Sequence, residues 1–350
     1  MADSTYAATV SDADLALIDA SVSQNLHRWN IAPDARVTLL NHSENTTYRI
    51  DHGGQRHVLR VHRLGYHRRE AIARELDWVG AIARDTSIHT ALPVAGQDGE
   101  LIQEFATGDQ PRHAVLFEFL EGEQPREDTD LTASFERLGE ITAVLHEHSQ
   151  RWDREPDRPL RPVWDFEHTL GDSPIWGDWR QGIGVTDEVA GLLQQAVDRI
   201  GQALTGYGRS PERFGLVHAD LRLANLLLHG DEVGVIDFDD CGYGWYMYDL
   251  GSSLSFIEHT PQAPDLIHAW VRGYSRVRPL DQEALDMIPS FVMLRRILLV
   301  AWLGSHRETD TAKEIGQAFT LQTCEMVDRY LEGRLFTQAS QNLAAEAGIV

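Results

Sequence analysis

Lysine is almost missing from this chain: of its 31 basic residues only Lys313 is a lysine, so arginine supplies nearly all the positive charge. Basic residues are also scarce beside the 54 acidic ones, which leaves a formal net charge of −23. Phosphate backbones demand a basic footprint, so this balance argues against a nucleic-acid partner. It favours solubility and, mildly, cationic small ligands drawn by the field of the whole molecule. Two cysteines, Cys241 and Cys324, are too few for a disulfide framework, and no C-x-x-C spacing suggests zinc. The opening residues carry neither a basic stretch nor an apolar run, so no signal peptide is expected. The most apolar run, FVMLRRILLVAWLG at 291–304, is too short to span a bilayer and is interrupted by Arg295 and Arg296. A buried helix is the expectation there, in a cytoplasmic protein without a membrane partner.

What the chain does have is length and an ordinary globular balance. Its 350 residues, 42% hydrophobic and 24% charged, are enough for two sizeable cores. A leading helix is expected over about 11–28, with Ser11 and Asp14 as a capping box and Leu15, Ile18, Val22 and Leu26 at helical spacing. From 36 the period changes to that of three strands, with turns at 42–45 and at Gly53-Gly54. A helix rich in Ala, Arg and Glu follows over 68–84, then short apolar stretches at 92–94, 101–105 and 114–120. Together these predict a small antiparallel sheet with one helix inserted after its third strand. Beyond 118–122 the pattern turns helical: Phe135, Leu138, Ile141 and Leu145 mark one amphipathic helix, and another is expected over 187–205. Between them lies an irregular Pro- and Trp-rich stretch, 155–182. The predicted division is 1–118, β-rich, and 119–350, α-rich.

The stretch from Val217 to Asp240, VHADLRLANLLLHGDEVGVIDFDD, sets His218, Asp220, Arg222, Asn225, Asp237, Asp239 and Asp240 in an apolar frame. A core does not tolerate such charge unless it is paired or bound to a cation. Asp220 precedes Asn225 with four residues between them, and Asp237 follows after a short β-hairpin. That is the layout of a phosphoryl-transfer site, in which one Asp takes the proton of the attacking hydroxyl while the Asn and the later Asp hold Mg2+ on the nucleotide phosphates. The kinase signature H-R-D-x-x-x-x-N followed by D-F-G matches HADLRLAN and IDFDD in spacing, with Ala219 in place of the arginine. Magnesium keeps several waters, so one Asp, one Asn and the nucleotide's own oxygens suffice.

With VLRVHR, FEFLEGE, LVHADLRLANLLL, VIDFDD and LRRILLVAWLG, the chain resembles the aminoglycoside phosphotransferase and choline kinase-like superfamily over about 37–328. Within it the chain looks most like homoserine kinase II-type and stress-response kinase A-type members. The resemblance implies an α+β, bilobal protein-kinase-like fold with an antiparallel nucleotide-binding lobe and a larger helical lobe. It implies Asp220 as catalytic base, Asn225 and Asp237 as Mg2+ ligands, and His218 as a brace of the catalytic loop. Arg60 stands where the family places a phosphate-holding lysine, and Glu75 where the inserted helix supplies its partner. An arginine keeps the charge but brings a planar fork in place of an ammonium. Ser43, Asn45, Glu118 and Phe119 complete the expected nucleotide contacts, although the turn at 42–45 lacks the glycines of protein kinases.

Other residues carry further expectations. Asp239 and Asp240 serve metal, cationic substrate or structure. Asp249 is expected to cap the next helix and brace the catalytic loop, and His146 to pack. Trp164, Trp176, Trp179 and Trp245 are candidates for pocket lining as much as for core, and Cys241 has no base beside it. The expected activity is transfer of the γ-phosphoryl group of ATP to a hydroxyl of a small molecule: an amino alcohol, a homoserine-like metabolite or an aminoglycoside-like acceptor, bound between the lobes near the Trp-rich insertion. Two alternatives remain at this stage: a protein Ser/Thr kinase, for which no APE-type segment follows Asp237, and a non-catalytic nucleotide-binding regulator.

Overall fold

The computed structural model describes residues 12–42, 45–107, 110–126, 129–152, 159–230 and 232–336. The chain divides into two compact units, Met1–Glu121 and Gly122–Val350.

The first unit is a six-stranded antiparallel sheet with a helix on each face. Its elements are α1 (Asp12–Asn25), β1 (Arg36–His42), β2 (Thr46–His52), β3 (Gln55–Val61), α2 (Arg69–Asp85), β4 (His89–Thr90), β5 (Pro93–Val94), β6 (Ile102–Thr107) and β7 (Gln110–Glu118). The order is β1-β2-β3-β7-β5, with β6 also on β7. Alternation along the strands sorts the core into two layers. Leu59, Val61, Ala114 and Leu116 pack with Ile18, Val22 and Leu26 of the leading helix and its following turn. Their neighbours Val58, Val115 and Phe117 pack under Ile72 and Leu76 of α2. Arg60 lies opposite Val115 in the β3–β7 register, so period two delivers it to the α2 face. The expected strands and inserted helix are present; Ser11 of the expected capping box lies outside the described residues.

The second unit carries α3 (Thr132–Trp152), β8 (Val163–Trp164), α4 (Phe166–Thr169), α5 (Asp187–Tyr207), β9 (Phe214–Val217), β10 (Leu226–His229), β11 (Glu232–Val235), β12 (Gly242–Trp245) and α6 (Tyr248–Ser253). It ends with α7 (Ala263–Ser275), α8 (Gln282–Asp286), α9 (Ile288–Ser305) and α10 (Asp310–Leu331). Helices α3 and α7 cross at backbone distance. A Cβ on Gly273 would lie 1.8 Å from the Glu136 carbonyl oxygen, and one on Gly139 would lie 2.0 Å from that of Trp270. Only glycine fits at such a crossing.

The apolar run at 291–304 is longer in the structure than its sequence suggests. Gln282–Ser305 forms a 24-residue helical stretch that by length and composition could cross a membrane, and 83% of its apolar window is buried inside the protein. The burial explains the composition: α9 is a core helix, and fourteen of its eighteen residues are buried, Arg295 and Arg296 among them.

Candidate active site

Strand β9 delivers the chain to His218, whose ring is fully buried against Phe238, with centroids 4.5 Å apart. Burial pushes its pKa below the ordinary 6.5, and the ring is neutral. Its Nε2 stands 3.2 Å from the Ile236 carbonyl and its Nδ1 accepts the Asp220 amide at 3.3 Å. The next residue, Ala219, has φ +69°, a left-handed conformation that costs a side-chain-bearing residue about 1–3 kcal/mol unless its surroundings hold it.

Asp249 is one of the holders. Its two carboxylate oxygens accept the His218 amide at 3.1 Å and the Ala219 amide at 2.8 Å. Asp249 lies in the first turn of α6, and no side chain caps that helix. The expected cap is therefore corrected, because both oxygens face the loop preceding Asp220. The same carboxylate lies 3.0 Å from His146 Nε2, and His146 Nδ1 lies 2.9 Å from the Tyr274 hydroxyl. Burial lowers the pKa of His146, and a carboxylate can only accept, so Nε2 carries the proton and Nδ1 accepts from Tyr274. His146 packs, as expected, and also joins α3 and α7 to the loop.

The carboxylate of Asp220 is densely contacted. Oδ1 accepts from Arg295 Nη2 at 2.5 Å, and Oδ2 accepts from Asn225 Nδ2 at 2.8 Å and Arg222 Nε at 3.1 Å. Burial acts to raise its pKa, but the guanidinium groups of Arg222 and Arg295 outweigh burial and hold the carboxyl below its ordinary range. Asn225 Nδ2 also donates to the Asp220 carbonyl at 2.8 Å. Both amide hydrogens of Asn225 are thus spent on one residue, which leaves Oδ1 as its remaining polar side-chain atom. The Ile236 amide donates to the Asn225 carbonyl at 3.0 Å, so the β10–β11 hairpin brings Asp237 back beside Asn225. Asp237 is exposed and has φ +62°, while Asp239 is buried. Among the described residues no group of three or more His, Cys, Asp or Glu is placed to hold a metal.

In the first unit Arg60 Nη2 meets Glu75 Oε1 at 2.7 Å, with side chains only 6% and 1% exposed. The Arg60 guanidinium also lies 5.0 Å over the Phe117 ring. Arg56 instead pairs with Glu121 and covers the Phe119 ring at 4.6 Å. Asn45 accepts the Arg63 amide at 3.2 Å, and Glu118, at the end of β7, donates its amide to the Leu92 carbonyl at 2.8 Å. Ser43 lies outside the described residues.

The four tryptophans are core, not an open wall. Trp164, Trp176, Trp179 and Trp245 are 0%, 6%, 1% and 3% exposed. Trp164 and Trp245 spend their Nε1 protons on the carbonyls of Asp240 and Gly208. Cys241 is buried, and its sulfur is a thiol rather than half of a disulfide. Sequence reasoning missed Arg295, which it took as an interruption of an apolar helix. The available signal was two arginines inside a core helix, since buried charges require partners.

Comparison with known proteins gives this geometry a class. The chain belongs to the phosphotransferase enzyme family, which matches residues 36–280. A solved structure of a microcompartment-associated aminopropanol kinase is 42% identical, with a TM-score of 0.83 over 90% of this chain and 98% of that one. The amicoumacin kinase hAmiN, solved with AMP-PNP, Ca2+ and Ami, shares the fold at 23% identity and a TM-score of 0.73, over 93% of this chain and 95% of that one. A homoserine kinase of Chelativorans sp. (strain BNC1) is 31% identical over 202 residues, 57% of this chain and 58% of its own length. The protein is accordingly an ATP-dependent phosphotransferase of the small-molecule kinase family, with an α+β protein-kinase-like fold. A non-catalytic role is set aside.

Proposed function

We propose that the protein transfers the γ-phosphoryl group of ATP to the hydroxyl of a small amino alcohol, with Asp220 as the proton acceptor. The observation that carries this reading is the Asp220 carboxylate, held charged by two guanidiniums. Each carboxylate oxygen has two acceptor positions. Oδ2 uses both, on Asn225 and Arg222, while Oδ1 uses one, on Arg295. The other position on Oδ1 accepts the hydroxyl proton. A carboxyl with a depressed pKa is a weak base, which suits a loose phosphoryl-transfer transition state where orientation matters more than early proton removal. The Oδ1 atom of Asn225 and the carboxylate of Asp237 would hold Mg2+, which when bound neutralises charge on the phosphate oxygens. Arg60, braced by Glu75, would hold the α- and β-phosphates.

The amino-alcohol class is supported by the 42% identical aminopropanol kinase and by the net charge of −23, which favours a cationic acceptor. A cytoplasmic setting, where ATP is supplied, accompanies this reading. The test is ATP consumption across aminopropanols, ethanolamine, homoserine, aminoglycosides, sugars and a generic protein substrate. The highest kcat/KM is expected among the amino alcohols. Preference for homoserine or an aminoglycoside would overturn the acceptor class and leave phosphotransfer standing, and preference for the protein substrate would make it a protein kinase.

A further inference from the structure

Asp220 follows a strained residue, and it is gripped from a helix far along the chain. The peptide of Ala219 is held at both ends: Asp249 accepts its amide, and Arg295 Nη1 donates to its carbonyl at 3.3 Å. The same guanidinium places Nη2 on Asp220 Oδ1 at 2.5 Å. It is itself locked, with Nε on Ser255 Oγ at 2.9 Å, Nη1 on the Tyr248 hydroxyl at 3.2 Å and the Trp176 ring 5.0 Å away. A planar fork used in three directions fixes the carbonyl and the carboxylate oxygen relative to each other, which an ammonium could not do.

We propose that Arg295 is a positioning residue for phosphoryl transfer, gripping the Ala219 carbonyl and Asp220 Oδ1 so that the remaining acceptor position of Oδ1 is aimed at the acceptor hydroxyl. This rests on the reading of Asp220 as the proton acceptor. Burial of an arginine in α9 is not the argument, because the neighbouring Arg296 is buried equally. Arg296 turns instead to Glu258 at 2.8 Å, Thr323 at 2.8 Å and the Phe319 ring at 3.5 Å. One of the two arginines serves the loop that carries Asp220, and the other ties α9 to α10.

The test is a double-mutant cycle on the full chain, read as single-turnover phosphoryl transfer from Mg·ATP. The acceptor is the best substrate of the panel above, or water if none reacts. Arg295→Met should lower the rate about a hundredfold, the scale of a misplacement near 1 Å. KM for ATP and for the acceptor should stay within about threefold, because the residue orients and does not bind. Arg295→Lys should recover about a tenth of wild-type activity by restoring charge without the fork, and it serves as the folded variant if the methionine variant does not fold. In an Asp220→Asn background neither substitution should slow the reaction further, since the carboxylate they act through is already gone. Arg296→Met should lower thermal stability while activity per folded enzyme stays within about threefold. If the losses of Arg295→Met and Asp220→Asn multiply, or if both Arg295 variants retain wild-type rates, the proposal is overturned while Asp220 keeps its role. A near-wild-type rate in Asp220→Asn alone would overturn both readings.

Discussion

At the scale of single residues, a buried ion pair makes an enzyme variant hard to interpret until stability and binding are separated. Arg60→Ala removes a phosphate contact in our reading, but it also takes the guanidinium away from the Glu75 carboxylate, which is 1% exposed in its helix. Breaking a buried pair from one side costs about 3–5 kcal/mol. Arg60→Ala should therefore lower the unfolding free energy by that amount in denaturant titration, while Arg60→Ala/Glu75→Ala should recover part of the loss. ATP affinity should fall about tenfold to a hundredfold in both, the worth of a charge-assisted contact, with adenosine affinity unchanged. Arg56 pairs elsewhere, so Arg56→Ala should bind ATP as wild type does. Should Arg56→Ala carry the ATP defect instead, the phosphate clamp lies elsewhere. Asp237 calls for a different substitution, because its φ of +62° is tolerated by asparagine. Asp237→Asn keeps the backbone and removes the charge, so calorimetry should show Mg·ATP affinity lowered at least about tenfold, with metal-free nucleotide unaffected. An unchanged Mg·ATP affinity removes Asp237 from the metal site.

At the scale of elements, the α3–α7 crossing is the place where one methyl group reaches furthest. Gly273 has the Glu136 carbonyl 1.8 Å from where a Cβ would sit, and Tyr274 beside it carries the hydrogen bond to His146. Gly273→Ala must push the helices apart. Overpacking of this kind costs about 1–3 kcal/mol or more, and the shift should loosen His146, Asp249 and the loop they hold. Lower stability together with a lower kcat is the expected outcome, measured by urea unfolding and by initial rates. Gly191→Ala is the matched control, since a Cβ there meets nothing within 4 Å on the exposed face of α5, and it should be neutral or stabilising. If the two variants behave alike, close packing at the crossing is not what holds the loop.

For the molecule as a whole, stability should depend on pH through its buried histidines. His146 and His218 are held neutral by burial, each with a folded pKa below the ordinary 6.5. Below about pH 6.5 the unfolded chain binds protons that the folded chain refuses, so stability falls as pH falls. The loss is about 1.4 kcal/mol per pH unit for each such histidine until its folded pKa is reached. Asp220 adds a loss of the same sign at more acidic pH, because its carboxyl is held below its ordinary range only when folded. Acidification also relieves repulsion in a chain of net charge −23, an opposing effect. That effect is long-ranged and weakens at ionic strengths of about 0.15 M, where the Debye length is about 8 Å. Thermal melts at that ionic strength should therefore show Tm falling between pH 7.5 and 5.5, with a shallower slope for His146→Gln. A flat wild-type profile would mean that the histidines are not held neutral.

What is local was legible in the order of the residues. Period-two alternation gave the antiparallel strands, helical spacing gave the inserted helix, and the charges crowded into 218–240 gave the candidate site, because Asp220, Asn225 and Asp237 lie within one loop and hairpin. The family resemblance set Arg60 against Glu75, and the structure pairs them. What holds Asp220 in place came instead from packing between distant elements. Arg295 arrives from 75 residues away, and His146 and Asp249 meet across 103. No spacing rule links such positions, because contacts between distant elements depend on how helices pack and not on the period within any one of them. The same cause turned four tryptophans from candidate pocket lining into core, and turned two arginines from interruptions of an apolar helix into partners for buried carboxylates.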